Sequence, residues 1–171
     1  MPSCLRAFAF FFAGWLLWSC SISYNFKTQS TIDYTKTKSI SIQDFPNVAQ
    51  LVNASLAQKF SEALKDKYTK QTKLNILRSG GDLNLEGEIT GYSFTPMAVR
   101  EDMFASQTRL TITVRVRFTD NNNAENDLEQ TFSAKQEFDN SKTIGEVEDE
   151  LCELIIKEIV DLIFNETVAK W

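Results

Sequence analysis

The chain has 171 residues, a length that suits one domain, or one domain with a tail. It carries 18 Lys+Arg against 23 Asp+Glu, a formal net charge of −5, and that acidic balance argues against nucleic acid, which calls for a basic surface. It contains no His, which removes the commonest general base and metal ligand.

The first twenty residues differ from the rest. Arg6 is the only charge before an apolar run, Ala7 to Trp18. About a dozen residues are too few for a helix to cross a hydrocarbon core, which needs about 20. A positive start, a short apolar run and a polar continuation make a secretory signal over residues 1–19. The run ends Leu17-Trp18-Ser19-Cys20, which resembles a bacterial lipobox. Trp18 departs from that pattern, where a small residue is usual. The resemblance implies cleavage before Cys20 and lipid on its thiol. Several acyl chains on one residue hold a protein durably to a bilayer, each buried CH₂ contributing roughly 0.8 kcal/mol. Ser21 follows the Cys rather than an acidic residue, which in this class of signal implies the outer membrane. The other reading is an ordinary signal with Cys20 incidental. Without residues 1–19 the chain keeps 17 basic and 23 acidic residues, a net of about −6.

Residues 20–37 read as the lipidated Cys and a polar tether, and 38–171 as one domain. Ile40 and Ile42 alternate with serines, as in a strand. Phe45-Pro46-Asn47 breaks it. Val48, Leu51, Val52, Leu56, Phe60, Ala63 and Leu64 recur at helical spacing to about Lys67. Leu74, Ile76 and Leu77 make a brief strand, and Ser79-Gly80-Gly81-Asp82 a turn. Leu83 to Gly91 alternates as a strand with one wet face, with Gly87 and Gly91 on the inner parity leaving room for a helix. Arg109 to Phe118 is the clearest strand. Leu110, Ile112, Val114, Val116 and Phe118 point one way, Arg109, Thr111, Thr113, Arg115 and Arg117 the other. Asp120 to Asn126 is a turn, and Asp127 to Glu137 a last strand. A helix follows. Thr143 caps it with Glu146 three residues on, and its apolar stripe is Ile144, Val147, Leu151, Leu154, Ile155, Ile159, Leu162 and Ile163. This order is an α+β domain, with two helices on one face of a mostly antiparallel sheet of about four to five strands. About 130 residues can bury a core without disulfides. Cys152, beside Leu151 and Leu154, reads as a small buried hydrophobe with no base nearby to activate it.

Carboxylates are the remaining candidates for chemistry. Glu86 and Glu88 share a strand face about 6–7 Å apart, a spacing compatible with acid–base work but equally with ion pairs to a neighbouring strand. Glu101 and Asp102 stand elsewhere. Glu146, Glu148, Asp149 and Glu150 occupy the first turns of a helix, where the dipole stabilises negative charge. Gly80-Gly81 opens onto a strand, so the helix-terminus anion site is missing. No catalytic residue, metal site or cofactor is expected. The positive feature is the row Arg109, Arg115 and Arg117. Arginine forks suit phosphate, so the row could bind an anionic glycolipid. The alternative is cross-strand pairing with Glu86, Glu88, Glu129 and Glu137.

The F-P-N break at 45–47, FSEALKDKY at 60–68, GDLNLEGEITGY at 81–92, RLTITVRVRFT at 109–119 and the final helix together resemble the LPS-assembly lipoprotein family LptE, in its Bacteroidetes form. The resemblance covers nearly all of the chain after Cys20 and implies a non-enzymatic protein. It would be held by lipid at the periplasmic face of the outer membrane. There it would plug an LptD-type β-barrel, help it assemble and contact lipopolysaccharide in transit. The rival from another class is a lipoprotein that binds a small ligand or envelope polymer without a barrel partner, which a large apolar pocket would favour. An enzyme on envelope material would need a cleft with converging carboxylates of perturbed pKa.

Overall fold

The computed structural model describes residues 35–51, 53–97 and 107–169. Cys20, the segment before residue 35, and Glu101 and Asp102 lie outside these residues. Among the described residues five strands and two α-helices follow one another, with a 3-10 turn at Ala124–Asn126 before the last strand: β1 (Ser39–Ile42), α1 (Leu56–Gln71), β2 (Asn75–Leu77), β3 (Leu83–Pro96), β4 (Gln107–Asp120), β5 (Leu128–Asp139) and α2 (Ile144–Thr167). The strands form one sheet in the order β2-β1-β3-β4-β5. The two helices cover one face, so the architecture is α+β. The sheet is mixed: β1 is parallel to both β2 and β3, while β3, β4 and β5 form an antiparallel meander.

The alternating positions of β4 set the core. Leu110, Ile112, Val114, Val116 and Phe118 are all buried beneath the helices. On β5 Phe132, Ala134 and Phe138 join them, and on β1 Ile40 and Ile42. From α1 the contribution is Leu56, Phe60, Leu64 and Tyr68. The helices run side by side in the same direction. The Tyr68 and Thr167 hydroxyls share a hydrogen bond at 2.5 Å, and the Tyr68 and Phe164 rings meet edge to face at 5.2 Å. Burial pushes the Tyr68 phenol upward from its ordinary value.

Four local readings of the sequence need correction. The first helix begins at Leu56, not near Val48. Residues 46–48 are held extended against β3, with Val48 N–H donating to Ile89 O at 2.9 Å and Ile89 N–H to Pro46 O at 2.9 Å. Asn53 then starts the helix, its Oδ1 accepting from Ser55 N–H (3.0 Å) and Leu56 N–H (3.1 Å). Val48 and Leu51 are left exposed, and Val52 lies outside the described residues. Secondly, β3 carries a bulge at Thr90 between the pairs Ile89–Val114 and Gly91–Thr113. The extra residue flips the parity, so Tyr92 rather than Gly91 points into the core, and Gly91 faces Thr113 on the outer side. Thirdly, Gly87 makes room for Phe45 and not for a helix. A Cβ there would stand 2.5 Å from the Phe45 ring and 2.2 Å from Arg115 O. Phe45 is anchored in turn by its N–H donating to Ser61 Oγ of α1 at 3.0 Å. Lastly, Ile144, Leu154 and Leu162 of α2 are exposed, while Cys152, Ile156, Val160 and Phe164 are buried.

The crossing from β2 to β3 explains the Gly-Gly-Asp turn. Gly80 has φ +72°, open to glycine at little cost. Gly81 passes so close to β1 that a Cβ would meet Ser41 N at 2.5 Å. Asp82 then ties down the start of β1, its Oδ2 accepting from Lys38 N–H (2.9 Å), Ser39 N–H (3.0 Å) and Ser39 Oγ–H (2.8 Å). Thr37, on the tether side of the expected boundary, is buried and accepts from Asn122 Nδ2–H at 3.1 Å. No described helix is long and apolar enough to cross a membrane.

Candidate functional site

The outer face of β3–β4–β5 is the surface that the sequence singles out. Pleating aims alternate residues away from the helices, and the antiparallel register aligns them in rows. Glu86, Arg117 and Glu129 form one row; Glu88, Arg115 and Thr131 the next. Gly91, Thr113 and Ser133 follow, then Ser93, Thr111 and Lys135, then Thr95, Arg109 and Glu137. No apolar side chain occupies any of these positions.

Arg109, Arg115 and Arg117 therefore share one face, but not one cluster. Arg109 stands alone at the far end of the face. It makes a two-pronged contact with Glu137, Nε at 3.0 Å and Nη2 at 2.6 Å from Oε1. Arg115 pairs with Glu88. Arg117 sits between Glu86 (3.5 Å) and Glu129 (3.3 Å). The four glutamates considered as cross-strand partners are thus all engaged. Arg115 and Arg117 nevertheless keep 55% and 58% of their side-chain surface open. Together they line a shallow, solvent-open hollow with Glu86, Glu88, Glu129 and Asp44, so its carboxylates outnumber its guanidinium groups. Asp44 is itself bound to Lys65 at 2.6 Å. An anionic group in the hollow would compete with these glutamates for the arginine donors.

The acidic start of α2 is resolved into separate tasks. Glu146 accepts from Thr143 N–H (2.7 Å) and Thr143 Oγ–H (2.9 Å) as a helix cap, and those bonds hold its carboxyl below the usual range. Glu148 accepts from the Tyr92 hydroxyl and from Asn53 Nδ2–H at 2.8 Å, which fastens the loop before α1 to α2. Asp149 pairs with Lys59 at 2.8 Å, the bond that raises the Lys59 pKa. Among the described residues no group of three or more His, Cys, Asp or Glu side chains is placed to hold a metal. Cys152 is buried, with its Sγ 3.9 Å from the Tyr92 hydroxyl. Desolvation pushes its thiol upward, away from a nucleophile. A second hollow runs between α1 and α2 over Ala63, Ile156 and Val160. It too opens to solvent, and the Lys67–Asp161 pair (2.6 Å) crosses it.

The sequence missed the links Tyr92–Glu148–Asn53 and Phe45–Ser61. Both depend on the Thr90 bulge and on the extended stretch after Pro46, which no periodicity announces.

Comparison with known proteins fits this architecture. Three solved structures share the fold: a minor lipoprotein from Acinetobacter baumannii (15% identity, 78% of this chain and 94% of that one, TM-score 0.51), a hypothetical protein from Chlamydia trachomatis (14%, 78% and 100%, TM-score 0.51) and the uncharacterized lipoprotein B from Nitrosomonas europaea (14%, 78% and 83%, TM-score 0.50). No curated protein matches the chain. The lipopolysaccharide-assembly family LptE matches residues 37–167. A match over that span, which takes in every strand and both helices, places this chain in the LptE lipopolysaccharide-assembly family.

Proposed function

We propose that this chain is an outer-membrane lipoprotein, held by lipid on Cys20 at the periplasmic face. It plugs an LptD-type β-barrel, supports assembly of that barrel, and assists lipopolysaccharide on its way to the surface. The family match over residues 37–167 carries the reading. The outer sheet face supports it. A barrel interior is polar and alternates with its lipid side, and a three-stranded face without an apolar side chain is a fitting neighbour for such a wall. The family is non-enzymatic, and the carboxylates of the outer face and of the start of α2 are held in ion pairs and a helix cap: Glu88 with Arg115, Asp149 with Lys59, and Glu146 on Thr143.

Within this reading Arg109, Arg115 and Arg117 are the residues proposed to meet lipopolysaccharide phosphate, by exchanging glutamate for a dianion. The binding-lipoprotein alternative gains nothing from the two hollows described, both of which are open surface depressions. The deciding experiment is co-purification of the full-length, acylated, tagged protein from membranes. A β-barrel of the LptD type should be retained in near-equal amount. Consistent recovery without any such barrel would overturn the proposal, and Cys20→Ala should lose membrane retention.

A further inference from the structure

The cations of the helix face and of the outer sheet face are paired: Lys59, Lys65, Arg109, Arg115 and Arg117 each meet a carboxylate. One corner of the domain differs. Residues 35–43 and 67–81 hold Lys36, Lys38, Lys67, Lys70, Lys73 and Arg78 and no Asp or Glu, in a chain with a net charge of −5. The fold lays these two stretches side by side. β1 and β2 pair in parallel, Ser39 on Asn75 and Ser41 on Leu77, and Lys38 O accepts from Asn75 N–H at 2.9 Å. The chain enters the domain at this corner, with Lys36 and Lys38 flanking the buried Thr37. Lys67 is drawn to Asp161 and Lys70 to Asp66, and Lys38 lies beside Asp82. Lys73 and Arg78 are exposed and enter no ion pair among the described residues. Between them, on the outermost strand, Leu77 is 40% exposed. It alternates with Ile76, which packs against the core.

We propose that this corner docks on an anionic phospholipid surface, with Lys73 and Arg78 on headgroup phosphates and Leu77 between them at the interface. The proposal rests on the lipid at Cys20, which brings the Thr37 end to a bilayer; it does not need the barrel. Charge gives the occupant. Ammonium and guanidinium groups without a carboxylate partner complement phosphate, and an apolar side chain flanked by cations suits the boundary between headgroups and acyl chains. The groups that oppose the contact stand apart or are engaged. Asp120, Glu125 and Asp127 belong to the β4–β5 turn at the same end of the domain. That turn is three strands from β2, about 14 Å at strand spacing, which exceeds the Debye length of about 8 Å. Asp82 is nearer, and its carboxylate accepts from Lys38 N–H, Ser39 N–H and Ser39 Oγ–H. The domain therefore tips with its β2 edge on the surface and its β4–β5 turn away from it. The acyl chains supply attachment, and the corner supplies orientation.

The test uses the full-length acylated protein reconstituted in vesicles of phosphatidylcholine, with and without a third of phosphatidylglycerol. A polarity-sensitive fluorophore is attached at Leu77→Cys, or at Glu125→Cys as the control; Cys152 is buried and stays unlabelled. The label of L77C should shift to the blue and be quenched by brominated lipid in the anionic vesicles alone. Molar salt, which shortens the Debye length to about 3 Å, should reverse both changes, and the label of E125C should stay aqueous throughout. Each cation at an anionic surface strengthens the attraction about fivefold. Lys73→Gln with Arg78→Gln should therefore lower the ratio of docked to free corner about 25-fold and leave the urea midpoint unchanged, both side chains being exposed. Flotation with the two kinds of vesicle reads the lipid anchor separately. A protein that floats while its L77C label stays aqueous on anionic vesicles would overturn the proposal and leave the anchor standing. Equal docking on the zwitterionic vesicles, or docking that K73Q/R78Q leaves intact, would do the same. A protein that floats with neither would overturn the anchor and the proposal together.

Discussion

Replacing Arg115 and Arg117 together by Gln separates the two roles that the arginine row can have. The substitution removes three ion pairs: Arg115–Glu88, Arg117–Glu86 and Arg117–Glu129. All three are open to water, with the arginine side chains 55% and 58% exposed. Exposed pairs contribute about 0.2–1 kcal/mol each, so the three together contribute about 0.6–3 kcal/mol, with salt screening favouring the lower end. Gln leaves Glu86, Glu88 and Glu129 solvated and introduces no new charge among them, which Glu in place of Arg would do. The domain should therefore stay folded, with a loss below about 3 kcal/mol in urea titration at 0.15 M salt. Binding to lipopolysaccharide vesicles is the second measurement. If the row meets phosphate, affinity should fall at least tenfold while the melting profile changes modestly. A loss of stability well beyond 3 kcal/mol would refute the treatment of these pairs as exposed. Unchanged binding by a folded variant would refute ligand contact and leave the row as cross-strand pairing alone.

Two glycines should respond in opposite directions to Ala. At Gly87 a Cβ meets Arg115 O at 2.2 Å and the Phe45 ring at 2.5 Å, an overpacking that should cost about 1–3 kcal/mol or more. At Gly145, in the first turn of α2, nothing stands within 4 Å, and Ala should stabilise by about 0.5–1 kcal/mol; chemical denaturation of both variants reads the signs. Val114→Asp should unfold the domain, because Val114 is fully buried and an unpaired charge there costs several kcal/mol; circular dichroism checks it. Asp82 and Glu146 have depressed pKa values, from bonds to Lys38 N–H and Thr143 N–H respectively. Their stabilisation is complete above their unfolded pKa values and is lost as pH falls through the lower folded values. Wild type should thus lose stability below about pH 4, and an Asp82→Asn/Glu146→Gln double variant should show a shallower acid slope. Cys152 should resist thiol reagents in the native state and react on unfolding, with mass spectrometry as the readout.

The parts legible in the sequence are those whose pattern is decided by one face alone. β4 alternates over its whole length because its inner side meets only the core, so its five buried positions and its outward arginines follow from period two. What escaped reading lies where two demands meet. Val48 and Leu51 have helical spacing relative to Phe60, yet pairing with Ile89 claims the backbone before the helix can. Thr90 looks like an outward residue in a regular strand, and only the partner strand reveals that it has none. Leu154 and Leu162 belong to the apolar pattern of α2 by composition but stay exposed, because α1 covers the opposite flank. The candidate site was legible as a row of arginines and as a list of glutamate partners. Their division into one isolated pair and one acidic hollow needed the register.

The direction of the chain then constrains how the domain can stand at a membrane. The tether side enters at Thr37, beside Asn122 in the β4–β5 turn, and α2 ends at the same side, Tyr68 meeting Thr167 there. From that end β3 climbs fourteen residues, roughly 45 Å at strand rise, which exceeds the ~30 Å of a hydrocarbon core. Fourteen residues lie between Cys20 and Thr35, and the fifteen steps from one to the other span at most about 50 Å. If Cys20 carries lipid, such a tether lets the Thr37 end stand at any distance up to about 50 Å from the bilayer surface, and on the plug reading the meander is long enough to reach through a barrel of ordinary height. Shortening residues 21–34 by ten leaves a reach of about 15 Å. On the plug reading that truncation should reduce barrel recovery in the co-purification while leaving the domain's urea midpoint unchanged. Full recovery with the shortened tether would show that the tether length does not govern how deeply the domain is seated.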